Sequence, residues 1–285
     1  MKKKAYLIII VLFLLNIISL SFILDSQKDN LLRVVFFDIG QGDGVFIETP
    51  EKHRIVIDGG PDYNLISEKI SKEIPFWDKE IDMIILTHMD QDHLNGLLGI
   101  LEKYDVKNIV WNGVSEKGAK KTDNWLSMIE KEAGSKTSIV KAGDKVIIGK
   151  TSIDFLWPDS MPEDDNDIDL NSYSLVSKLC YHSNCFLFTG DISFSQENQL
   201  IGNDISADVV EVSHHGSKQA TSDDFLKAVD PSLAIIQVGE NNYGHPSPET
   251  LGRLIEEKVR TLRTDKDGIV EVDSDGKDLK IITNR

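Results

Sequence analysis

Apolar residues in this chain come mostly in short bursts that end at Gly, Pro, Asp or Asn, a rhythm of strands and turns interrupted by longer helical periods. The pattern predicts a strand over 31–40 that ends at Asp38, with turn chemistry at 41–44, and two strands, 45–50 and 53–60, around a hairpin turn at Pro50-Glu51-Lys52. A helix over 64–73 runs up to Pro75, which would stop it, and a strand over 81–86 follows. Helices are expected at 94–104 and, capped by Thr122 or Asp123, at 123–133, with a strand over 106–113 between them.

The second half repeats the theme. A β-rich stretch at 138–158 leads to an acidic run, 162–169, read as a solvated loop because it lacks the glycine and terminal glutamate of a calcium loop. A hairpin at 171–191 turns at Tyr181-His182-Ser183-Asn184. Then come helices at 194–201, 222–229 and 250–257 and strands at 207–218, 231–239, 259–264, 269–273 and 279–283. Two β-rich halves with helices between strands imply an α/β fold, a layered αββα sandwich in one domain over 32–285.

The N-terminus is different. Lys2, Lys3 and Lys4 precede an uncharged apolar stretch, 5–24, long enough for one transmembrane helix, and 25–31 reads as a linker. By the positive-inside rule the domain would lie outside the cytoplasm, anchored to the cell membrane as a single-pass protein. A cleaved signal peptide, giving a secreted protein, is the rival reading. Export makes a disulfide between Cys180 and Cys185 possible; two reduced packing cysteines are the alternative. The balance of 31 basic against 47 acidic residues, a formal charge of −16, opposes non-specific binding to nucleic acid or anionic lipid. It does not exclude a phosphate held by metal ions.

The chemistry concentrates in THMDQDH, residues 87–93, where an apolar strand runs out into His88, Asp90, Asp92 and His93. Buried carboxylates at such density need a partner charge or a metal. Three more apolar strands end in the same residue types: FLFTGD at Asp191, VVEVSHHGS at His214 and His215, and IIQVGENNYGH at His245. Strand ends on one side of a sheet lie close in space. The combined set exceeds what one ion needs and fits two divalent ions.

With these stretches the chain resembles the metallo-β-lactamase superfamily, and within it the hydrolase domain of ComEC/Rec2-type competence proteins. The resemblance is carried by FFDIGQGDGVFIETP, IVIDGG, ILTHMDQDHLNGL, NSYSLVSKL, FLFTGD, VVEVSHHGSK, NNYGHPSPE and RTDKDG. It implies metal ligands at His88, Asp90, Asp92, His93, Asp191, His214 or His215, and His245, with Asp191 bridging the ions. Asp90 stands where most of the superfamily has a histidine, and a further histidine expected near 171–174 is missing. Oxygen in place of nitrogen leans toward manganese or magnesium over zinc. The resemblance also gives Asp58 a role in orienting ligands and places Asp43 near the site. Lys218 or a histidine is expected to protonate a departing oxygen, Ser217 and Asn242 to contact substrate, and Tyr243 only to pack. The implied activity is phosphodiester hydrolysis by a metal-generated hydroxide, on DNA or other nucleic acid. Two alternatives remain open at this point: cleavage of envelope phosphodiesters such as phosphorylcholine on teichoic acid, and a non-catalytic metal-binding competence accessory.

Overall fold

In the computed structural model, residues 2–26, 31–132, 134–162 and 168–285 are described. Most of the linker expected at 25–31 and the middle of the acidic run at 162–169 fall outside the described residues.

The strands in chain order are β1 (Leu32–Phe36), β2 (Val45–Glu48), β3 (Arg54–Ile57), β4 (Glu80–Leu86), β5 (Asp105–Trp111), β6 (Lys136–Ile139), β7 (Lys145–Ile148), β8 (Thr151–Trp157), β9 (Val176–Tyr181), β10 (Asn184–Phe188), β11 (Val209–Glu211), β12 (Leu233–Ile236), β13 (Arg260–Arg263), β14 (Val270–Ser274) and β15 (Leu279–Thr283). The helices are α1 (Lys2–Ser26), α2 (Leu65–Glu73), α3 (Gln91–Lys103), α4 (Lys120–Lys131), α5 (Phe194–Leu200), α6 (Asp223–Val229), α7 (Pro248–Glu256) and α8 (Thr264–Asp267).

Two sheets form, in strand orders β15-β14-β1-β2-β3-β4-β5-β6 and β13-β12-β11-β10-β9-β8-β7. Successive strand residues face opposite sides, and the side chains sort accordingly into three cores. Val34, Phe36, Ile55 and Ile57 point from the first sheet at Phe155, Phe186, Phe188 and Ile235 of the second. Their neighbours Val35, Phe37 and Val56 pack against Ile66, Leu97 and Trp125 of α2, α3 and α4. Val210, Ala234 and Ile236 cover Phe225, Val229 and Leu254 of α6 and α7. Three cores between four layers make the αββα sandwich expected from the sequence.

Within each sheet one run is parallel: β3-β4-β5-β6 in the first and β10-β11-β12-β13 in the second. Parallel strands share a direction, so the residues following β3, β4, β10, β11 and β12 emerge at the same ends of their sheets. Ligands in such sheets gather beyond the carboxyl ends of the strands.

Some local expectations change. The anticipated membrane span is not borne out: α1 forms, but among the described residues no helix is long and apolar enough to cross a membrane. Within α1, Asn16 turns its amide back on Leu12 O at 2.8 Å. The β9–β10 turn is two residues, since Tyr181 and Asn184 pair as strand residues and His182 takes the left-handed conformation (φ 52°). Cys180 and Cys185 face each other across that pair and are joined as a disulfide. Helix α4 starts at Lys120 after Ala119, ahead of the expected cap, because Thr122 Oγ1 bonds Glu116 O (2.8 Å) inside its first turn.

The largest change is at α3, which begins at Gln91 rather than Leu94, so Asp92 and His93 belong to its first turn. The helix lies directly on the loop after β3, with Gly59 N donating to His93 O (2.7 Å) and Gly96 N to Gly60 O (3.1 Å). A methyl group on Gly96 would overlap the Gly59 carbonyl. Gly96→Ala is therefore expected to destabilise the domain by about 1–3 kcal/mol through overpacking. Urea denaturation checks this, and an unchanged midpoint would show that the helix is not held there.

Candidate metal centre

The site is built from strand ends. Thr87 to Asp90 follow β4, Asp58 follows β3, Asp191 follows β10, His214 and His215 follow β11, and His245 lies on the loop after β12. Local backbone supports the positioning: Asp58, His214 and His215 all adopt positive φ (55°, 51° and 52°), a conformation that costs a non-glycine residue about 1–3 kcal/mol. At the two histidines it turns adjacent rings toward the same space.

Asp191 is the hub, 3% exposed. Its Oδ1 lies 3.4 Å from His93 Nε2 and 3.8 Å from His215 Nε2. Its Oδ2 lies 3.6 Å from His214 Nε2 and 4.0 Å from His88 Nε2. Each oxygen thus faces a different pair of rings. Asp92 Oδ2 adds a contact to His215 Nε2 at 3.5 Å, and Asp90 Oδ2 reaches His88 Nε2 at 3.9 Å. His245 packs its ring 5.5 Å from that of His214.

The opposite nitrogens are tied down. His93 Nδ1 donates to Asp58 Oδ2 (2.8 Å), and His215 Nδ1 to Gln237 O (2.9 Å), with Asp43 Oδ1 at 3.2 Å. His88 Nδ1 sits between the hydroxyls of Thr87 (3.1 Å) and Ser174 (3.2 Å). Asp58 also accepts from Thr87 N (2.9 Å) and Thr87 Oγ1 (2.6 Å), so one carboxylate fixes both the end of β4 and His93. With Nδ1 as donor, each Nε2 points inward, where it can ligate once it carries no proton.

This leaves His88 Nε2, His93 Nε2, His215 Nε2, His245 Nδ1 and Asp191 Oδ1 buried without hydrogen-bond partners. Buried polar atoms are normally satisfied, and these are all metal-ligand atoms. Groups His88–His93–Asp191 and Asp92–His93–His215 each bring their donor atoms close enough to hold an ion. The residues present fit divalent metal. The electrostatics agree. Burial and the Asp191 and Asp58 carboxylates act in opposite directions on His93, and the carboxylates win, holding it well above the usual imidazole range. His215 is raised likewise, by Asp191 and Asp43 against its burial. Burial and the neighbouring His93 depress His88. Asp92, despite burial, is held down to about 2 by its contact with His215.

Other expected residues stand apart. Lys218 is exposed and ion-paired with Glu249 (2.7 Å), which draws its ammonium onto α7 and away from the cluster. Ser217 closes the histidine turn through its backbone, N to His214 O at 2.9 Å. Asn242 and Tyr243 border a cleft of about 530 Å³ beside Asp92. Tyr243, expected to pack, is 77% exposed, because its loop is held by Asn241 and leaves the ring outside.

Several participants were not anticipated. Ser174 sits in the segment where a further histidine was expected, and its hydroxyl contacts His88 and accepts from Asp191 N (3.2 Å). Lys121 places its ammonium 3.1 Å from Asp90 Oδ1 and 3.3 Å from Glu116. Glu211 accepts from Thr189 N (3.0 Å), Gly190 N (3.2 Å) and Gln237 Nε2 (2.7 Å), bracing the turn that carries Asp191. Burial and the Asp43 carboxylate push Glu211 up to about 8. A lone acid inside the apolar run VVEV was the available signal for it.

Comparison with known proteins agrees with this geometry. The family model described as "Metallo-beta-lactamase superfamily" matches residues 38–240. The chain is 32% identical over 260 residues to ComE operon protein 3 of Bacillus subtilis (84% of this chain, 32% of that protein). It is 24% identical to competence protein ComA of Neisseria gonorrhoeae (87% and 33%). The chain thus spans about a third of the length of the curated relatives it matches. Among solved structures, the metallo-beta-lactamase fold protein YhfI of B. subtilis superimposes with a TM-score of 0.58 at 11% identity, covering 85% of this chain and 99% of that one. The diiron β-hydroxylase CmlA of Streptomyces venezuelae gives 0.55 at 12% identity (88% and 54%). Both likenesses establish the fold.

Asp58→Asn should keep the fold but weaken metal binding about 10–100-fold, because the support of His93 is lost; calorimetric titration with manganese or zinc measures it. The neighbouring carboxylates strengthen proton binding at His93 and His215, so protons compete with metal for their inward nitrogens. Metal must displace those protons, so affinity should increase as pH rises toward those pKa values and fall in acid. Titration in two buffers of different ionisation enthalpy should register proton release, and none would contradict the assignment.

Proposed function

The chain belongs to the metallo-beta-lactamase superfamily, and from that premise we propose that it is a metal-dependent phosphodiesterase acting on nucleic-acid-type substrates outside the cytoplasm. The observation that carries the reading is the division of Asp191, whose two oxygens face separate histidine pairs, Oδ1 toward His93 and His215 and Oδ2 toward His88 and His214. That is the donor arrangement for a carboxylate shared by two ions. Two divalent ions, manganese or zinc, when bound there supply Lewis acidity and a readily deprotonated water, the chemistry suited to displacement at phosphorus.

The chain's own residues do the rest. Asp58, Gln237 O and the hydroxyls of Thr87 and Ser174 hold the rings in the ligating tautomer. Asp90 weakens the nitrogen character of the ligand set around His88, which favours a harder metal over the zinc sites of β-lactam cleavage. Lys121 offsets the Asp90 charge at the rim, where a substrate anion would approach. The role expected of Lys218, protonating a departing oxygen, would require its Glu249 pair to open.

The disulfide between Cys180 and Cys185 supports an oxidising, extracytoplasmic setting. The relatives named for competence support nucleic acid as the substrate. The net charge of −16 favours a second reading, a short envelope phosphodiester, over a long polyanion tracked along its backbone.

Purified chain loaded with manganese or zinc should cleave DNA, RNA or bis(p-nitrophenyl) phosphate. Asp191→Ala should lose more than the about 10–100-fold expected for Asp58→Asn. Identical behaviour of Asp191→Ala and wild type, with no cleavage by either, would sink the proposal.

A further inference from the structure

The cleft of about 530 Å³ is lined by one aromatic ring, Tyr243, the carboxylates of Asp92 and Glu240, and a set of carboxamides that includes Gln41, Gln91, Asn95 and Asn242. No lysine or arginine is among its lining residues, so it is not built to follow a phosphate backbone.

Tyr243 is presented rigidly. Asn241 Oδ1 accepts from the backbone N–H groups of Tyr243, Gly244 and His245, each at 3.1 Å, and its Nδ2 donates to Gly239 O (2.9 Å) and His245 O (2.8 Å). The ring stands 77% exposed, 5.8 Å from that of His245. A large aromatic group held in water on a stiff loop gains most by being covered with a flat partner, and its ordering cost has already been met by the loop.

The carboxamides supply polar reading groups. Among the described residues the side chains of Gln91 and Asn242 make no hydrogen bond within the protein. Asn95 uses only its Nδ2, on Pro61 O (3.0 Å), and Gln41 only its Oε1, from Gly239 N (3.4 Å). Donors and acceptors are therefore left side by side, the pattern that pairs with the edge of a nucleobase. A quaternary ammonium group would instead call for a cage of several aromatic rings, and this cleft has one.

We infer that this cleft is a subsite for an unstacked nucleobase, laid on Tyr243 and held at its edge by Gln91 and Asn242, with the attached phosphate directed to the neighbouring metal centre. The inference rests on the phosphodiester reading of that centre. It selects single-stranded or nucleotidic substrates, because a base inside a duplex cannot reach the ring.

The test is calorimetric binding of adenosine 5′-monophosphate, ribose 5-phosphate and phosphorylcholine to the full chain loaded with manganese. The adenosine compound should bind about 5- to 150-fold more tightly than ribose 5-phosphate, the range for stacking one base on an aromatic side chain. Tyr243→Ala should remove most of that preference and Tyr243→Trp should keep it. Gln91→Ala and Asn242→Ala, on separate elements, should each reduce it. Equal affinity for the two phosphates, tighter binding of phosphorylcholine, or a preference that survives Tyr243→Ala would overturn the subsite. Turnover of bis(p-nitrophenyl) phosphate is read separately. Cleavage without the base preference removes the subsite and leaves the hydrolase, whereas the base preference without cleavage does the reverse.

Discussion

Asp58 lies at the end of β3 with 1% of its surface exposed, and its two oxygens accept from Thr87 N, Thr87 Oγ1 and His93 Nδ1. Burial alone would drive such a carboxyl toward its neutral form, and it does raise this one. The fold compensates with three donors, one of them an imidazole it helps to charge. Through that one group the end of β4, the first turn of α3 and the orientation of the His93 ring become a single unit. The backbone bonds from Gly59 to His93 and from Gly96 to Gly60 complete the lock. Remove the carboxylate and His93 has no reason to keep its Nε2 facing Asp191.

The second half of the centre arrives from the other sheet. β10, β11 and β12 run parallel, so Asp191, the histidine pair and the His245 loop emerge together. The apolar core between the sheets, in which Phe36 meets Phe188, brings these ends against those of β3 and β4. Packing of side chains far from the cluster therefore sets the distances within it. Glu211 and Gln237 carry the same logic to the inner side, where Gln237 takes Gly44 N and gives its amide to Glu211. The result is a dense set of buried acids and imidazoles whose inward atoms are unpaired, a costly arrangement without a cation at its middle.

Charge also explains the asymmetry of the rim. Lys121 and Glu116 stand on one side of Asp90, while the opposite cleft carries amides and a single exposed aromatic ring. A strongly acidic protein attracts no polyanion by its general field, so under the proposed function recognition has to be local: metal for phosphate, flat and amide surfaces for what is attached to it.

Much of this was legible in the chain. Nearly continuous apolar runs such as LLRVVFF specified strands with two buried faces, and hence layers, because each strand residue must point one way or the other. THMDQDH, FLFTGD, VVEVSHHGS and the His245 loop announced a shared site, because acids and histidines at the ends of apolar runs have few other uses. What the chain could not show was which atom faces which. Helix α3 begins three residues earlier than the periodicity suggested, because tertiary bonds to 59–60 extend it over polar residues that carry no apolar signal. Ser174, Lys121, Glu211 and Gln237 gain their roles from neighbours dozens of residues away. The exposed position of Tyr243 depends on Asn241 turning five hydrogen bonds into one loop. Residue type and local period fix which chemistry a chain can perform. The packing of two sheets fixes where the lone pairs point, since orientation is a property of contacts that only the folded chain makes.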